Sequence, residues 1–180
     1  MATIKPLRQY SESDVINLFS FNGASANKGA IVKLATASGW RSSDETLAMG
    51  GSVGSPFSNT VSQRYATAAK VSLANSGDVP IGMLLMDVKE TDENGEKLVF
   101  NPRKAAEMGV VVSGQVVPIL TRGIVLYSGA SLAAENPPAG TIVYAGDNGE
   151  LTALAAGKKT VGRTLGSKDS NDHILLKIEI

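Results

Sequence analysis

The chain has 180 residues, enough for one domain with a proper core plus an extended arm. Seventeen lysines and arginines balance seventeen aspartates and glutamates, so no global charge points to nucleic acid or an anionic membrane. Cysteine is absent and histidine occurs once, which excludes disulfides, thiolate chemistry and sites built from several Cys or His ligands.

No apolar run approaches the roughly 20 residues that span a bilayer. The opening MATIKPLRQYSESD lacks the apolar stretch of a signal peptide. The expectation is a soluble protein that works where it is synthesised. Abundant glycine and small residues with few aromatics suit short strands and tight turns better than a helical bundle.

Residues 1–13 form a polar lead with Ile4, Leu7 and Tyr10 spaced along it. They read as an arm that docks elsewhere or as an ordinary loose terminus. DVINLFSF (14–21) and KGAIVKLA (28–35) then carry strand patterns. Residues 35–67 differ in kind, being rich in Ser, Gly and Thr with isolated large groups such as Trp40 and Tyr65. Such a stretch either orders against a partner or wraps irregular strands around its own core.

Further strands are expected at 69–75, 81–91, 96–101 and 109–120, where Pro118 requires an edge or a bulge. One short helix is predicted: Asn101 can cap it, Pro102 fits its first position, RKAAEM favours it and Gly109 ends it. RGIVLYSG and AGTIVYAG repeat the pattern of glycine followed by a β-branched pair. HILLKIEI (173–180) alternates, with Leu176, Ile178 and Ile180 on one side and Leu175, Lys177 and Glu179 on the other. Asn-Gly at 94–95 and 148–149, each between apolar strands, signals a hairpin.

GKKTVGRTLG (157–166) comes within one residue of a phosphate-binding loop, with Arg163 in place of the lysine. A working loop follows a buried strand and opens a helix, whereas LGSKDSNDH after it is rich in turn formers. Lysine and arginine are also not interchangeable at such a site. The stretch reads as turn chemistry.

Acidic turns at Asp92/Asn94 and Asp147/Asn148 offer oxygen ligands for a stray divalent ion but lack the full set of a calcium loop. His173 has no nucleophile motif to serve. Paired carboxylates for glycosidase work depend on spatial separation, which sequence alone does not give. Lys158-Lys159 lacks the apolar-flanked tip of a lysine that carries a prosthetic group. The basic residues are scattered without aromatic interleaving, so no nucleic-acid footprint is present. No catalytic, cofactor or metal residue is assigned.

The second half has the order VVVSGQVVPILTRGIVLYSGASL, then AENPPAGTIVYAGDNGELTA, then KKTVGRTLGSKDSNDHILLKIEI. This run of a Val-Gly strand, a Gly turn, a polar tip and a final apolar strand resembles the small β-barrel decoration, or cement, proteins of tailed-bacteriophage heads. KGAIVKL in the first half fits the same style, while the 35–67 insert departs from the compact members.

The resemblance implies a non-enzymatic virion protein, assembled in the host cytoplasm onto the outer capsid surface. Its partner would be the major capsid protein and its own state a homo-oligomer, a trimer being favoured. Ile4, Leu7, Tyr10 and Trp40 would be the capsid contacts. Other readings are a tail or head-completion component, or a stand-alone glycan- or protein-binding module. The expected fold is mostly β: residues 68–180 as a small barrel or sandwich with one short helix, and residues 1–67 as an irregular arm and segment.

Overall fold

The structure is a computed structural model that describes residues 3–6, 11, 13–35, 70–155 and 157–180. Its elements in chain order are β1 (Thr3–Pro6), β2 (Val15–Phe21), β3 (Ile31–Leu34), β4 (Lys70–Leu73), β5 (Gly82–Leu84) and β6 (Asp87–Lys89). Helix α1 (Pro102–Met108), β7 (Val110–Val112), β8 (Val116–Leu120), β9 (Arg122–Ser128) and helix α2 (Ala130–Glu135) follow. The chain closes with β10 (Ile142–Ala145), β11 (Leu151–Thr152), β12 (Thr160–Thr164) and β13 (Ile174–Glu179). The protein is mostly β.

Five strands, β2-β4-β3-β5-β8, close a barrel, and six others form an antiparallel sheet in the order β1-β9-β13-β12-β10-β11. The sheet packs on the barrel wall. Val32, Leu84 and Ile119 lie in the barrel's own core, while their neighbours Ile31, Met83 and Leu120 join the core under the sheet. Side chains alternate along a strand, so a wall shared by two cores needs apolar residues at consecutive positions. The unbroken AIV, GML and PIL runs meet that demand.

Pro118 lies within the barrel, where no edge exists. The β2–β8 register jumps between Ile16 and Phe19, opposite Ile119 and Val117, so the proline occupies a bulge where no ladder donor is needed.

Between β5 and β8 the chain makes an excursion with a small core of Leu98, Ala105, Val110 and Val112. Helix α1 has the expected ends: the Asn101 side chain accepts from the Lys104 N–H at 3.2 Å, and Gly109 is left-handed with φ of 64°. Residues 98–100 form a 3-10 turn rather than the expected strand, because the chain must turn there to start the helix. Helix α2 was not expected. It is short, and Leu132 anchors it in the core beneath the sheet.

The expected division at 67/68 does not hold. Residues 15–21 and 31–34 supply two of the five barrel strands, so the described part of the N-terminal third is structural wall. Ile4 is not displayed as a contact: it is buried in the sheet-side core, as β1 pairs along β9 with Ile4 opposite Tyr127. Leu7, Tyr10 and Trp40 lie outside the described residues.

Candidate interaction surface

The six-stranded sheet has one face on the barrel and one turned away from it. Along β13, Ile174, Leu176 and Ile178 are buried, whereas Leu175 and Lys177 are half-buried and Glu179 is exposed. The alternation read from HILLKIEI therefore holds up to Ile180, which is 41% exposed beyond the strand.

Registers carry this outer set across the sheet. Lys5 stands opposite Leu126, Leu126 opposite Leu175, and Leu165 donates its N–H to the Leu175 carbonyl at 2.7 Å. The next row runs Ile124, Lys177, Arg163, Ile142, and beside it Arg122 faces Glu179. An aliphatic row thus lies beside a mixed row, and Ile142 and Leu165 remain 46% and 40% exposed.

Arg163 reaches this face through a bulge. The β10–β12 register shifts between Val143 and Tyr144, which turns Val161 into the core and leaves Arg163 outside. Gly162 lies between them, where a Cβ would come 2.0 Å from the Lys177 carbonyl oxygen. The GKKTVGRTLG stretch is thus a strand pressed onto β13, not a loop opening a helix.

The electrostatics of the face are one-sided. Lys177 Nζ lies 2.7 Å from Glu179 Oε2 and, with smaller help from Arg122 and Arg163, holds that carboxyl below its usual range. Lys5, Arg122 and Arg163 have no ion-pair partner among the described residues. Four cations thus share the face with Glu179, and the Asp14 carboxylate lies near enough to Arg122 to feel its charge.

Most of the described acidic groups elsewhere are engaged. A depression of about 430 Å³ at the β10–β11 end is lined by Glu135, Asp147, Glu150 and Lys158. Glu135 accepts from the Thr152 hydroxyl and the Ala153 N–H, Glu150 from the Ser131 hydroxyl, and Asp147 from the Ser76 N–H. Asp92 accepts from the N–H groups of Asn94 and Glu96 at 2.8 Å and from Lys104 Nζ, tying the hairpin tip to α1. Among the described residues no group of three or more His, Asp or Glu is arranged to hold a metal ion.

His173 is held in a turn. Asp169 accepts from its backbone N–H at 2.9 Å, and its Nδ1 lies 3.6 Å from the same carboxylate.

No family model, curated protein or solved structure matches this chain. Among the expected contact residues only Ile4 is described, and it serves the core. The residues that make the open face (Arg122, Ile142, Arg163, Leu165 and Lys177) were not singled out as a surface. The available signal was the polar side of HILLKIEI, with Lys177 and Glu179 on it. What hid Arg163 was its place in a string that imitates a phosphate loop.

Proposed function

We propose that this protein is a non-catalytic structural component of a tailed-phage head. In this reading it binds the outer surface of the capsid and braces neighbouring major capsid subunits. The observation that carries it is the outer face of the six-stranded sheet, which mixes half-exposed aliphatics with cations, three of them without an ion-pair partner among the described residues, over several strands. Such a face suits another protein surface better than a small ligand, which prefers an enclosed concave site. The pattern of the second half, like that of decoration proteins, supports the same reading. A modest interface per copy is enough, because each copy that bridges several subunits gains from linked contacts. The likeness favours a trimer as the bound form.

The test is reconstitution. Capsids stripped of this protein should take up the purified chain to a fixed ratio with the shell subunit and regain resistance to heat. Shells that take up none, or bind it without saturating, would contradict the proposal. Binding confined to tails or a vertex would favour a tail or head-completion component instead.

A further inference from the structure

We infer that the outer face of the six-stranded sheet docks on an acidic protein surface, with Arg163 at the centre of the contact. The inference rests on reading that face as a docking surface and names the chemistry of what covers it.

Charge complementarity carries the argument. Lys5, Arg122, Arg163 and Lys177 share the face with Glu179, with the Asp14 carboxylate near Arg122 at its edge, and only Lys177 among them has an ion-pair partner among the described residues. Covering Ile142 and Leu165 would place Arg163, their neighbour on β12, in a drier setting. A cation so covered gains from a carboxylate on the partner and is costly without one. Arginine suits the role because its planar fork matches a carboxylate in a bidentate manner.

Nucleic acid fits the face less well. Single-strand binders stack successive bases on several aromatic rings, and this face offers one ring, Tyr144, among the aliphatics Ile124, Leu126, Leu175, Leu165 and Ile142. A second copy of the chain also fits less well, because most of the described carboxylates it could offer already have donors of their own chain. Glu135, Glu150, Asp147 and Asp92 each already accept from donors of their own chain.

The experiment uses the full chain and three labelled probes: a short peptide of alternating Glu and Leu, its Lys/Leu counterpart, and a short DNA duplex. Fluorescence anisotropy should show binding of the Glu/Leu peptide that weakens as salt rises. Arg163→Gln should weaken it several-fold and Arg163→Glu by about tenfold or more. Ile142→Ser should also weaken it while leaving the salt dependence in place. Arg163 is on the surface, and circular dichroism would check that each variant is folded.

Equal binding of the two peptides, tighter binding of the duplex, or unchanged affinity in both Arg163 variants would overturn the inference. Stripped shells separate it from the functional reading. Peptide binding without shell binding would remove the capsid proposal and leave the acidic-partner inference standing. Wild-type uptake of Arg163→Glu by shells would do the reverse.

Discussion

Gly162 shows how a single residue decides the local structure. β12 and β13 approach so closely that any side chain here meets backbone, with the nearest atom, the Lys177 carbonyl oxygen, 2.0 Å from an added Cβ. Backbone cannot rotate away as a side-chain tip can. Gly162→Ala should therefore destabilise by about 3 kcal/mol, the upper end of overpacking costs, read as a lower urea midpoint. An unchanged midpoint would mean that the two strands are further apart than described. Asp92 is the second decisive residue. Its side chain is shielded from solvent, and Lys104 first, then the N–H groups of Glu96 and Asn94, hold its carboxyl below the usual range against the upward push of burial. A folded-state value below the ordinary 3.8 means that folding favours the ionised form. That contribution is complete above the ordinary value and fades as pH falls through the lower folded one. Asp92→Asn should be less stable than wild type at neutral pH, and the difference should shrink once pH drops below about 4. A difference that stays constant on acidification would assign Asp92 no such role. Neither function was visible in sequence. The Asp92 tip looked like possible metal ligands, because the Lys104 that meets it arrives from a helix whose direction the sequence did not give.

At the scale of elements, strands were legible wherever apolar pattern and turn residues agreed. β2, β3, β4, β8, β9, β10 and β13 all fall within stretches expected to be strands, and the turn at Asn148-Gly149 has positive φ at both residues, 55° and 74°. The second Asn-Gly turn differs in kind: only Gly95 has positive φ, at 84°, and the bridge behind it joins just Thr91 and Lys97. Its flanking residues leave at once for a 3-10 turn and α1, so no hairpin propagates. Helix α2 went unread because six residues without a polar cap carry little helical signal, and its position depends on Leu132 finding the core. β1 was read as an arm because polar residues surround Ile4. The isolated isoleucine is buried through pairing with β9, a partner more than a hundred residues away that local pattern cannot supply. Ile4→Ala should cost about 3 kcal/mol in the free protein, as large-to-small changes in cores do. Thermal unfolding of the isolated chain checks this; no change would return Ile4 to the role of a displayed contact.

For the whole molecule, the composition was informative about class and not about arrangement. Few aromatics and many short apolar runs pointed to β structure, which the closed barrel and the sheet bear out. The division into an N-terminal segment and a later domain failed because Ile31 and Val32, next to each other in sequence, serve two different cores. A single strand cannot be assigned to one unit when it is the wall between two. The outer sheet face is likewise a property of the assembly: its cations come from β1, β9, β12 and β13, brought together only by pairing. The equal totals of positive and negative charge conceal this, because most of the described carboxylates accept from internal donors while three of the face's four cations have no ion-pair partner among the described residues.

The central claim is that the chain decorates a phage shell, and its copy number in purified particles tests this most directly. Quantitative mass spectrometry would compare it with the major capsid protein. The account predicts many copies in a fixed small-integer ratio to the shell subunit. Absence from the particle, or only a handful of copies, would contradict it.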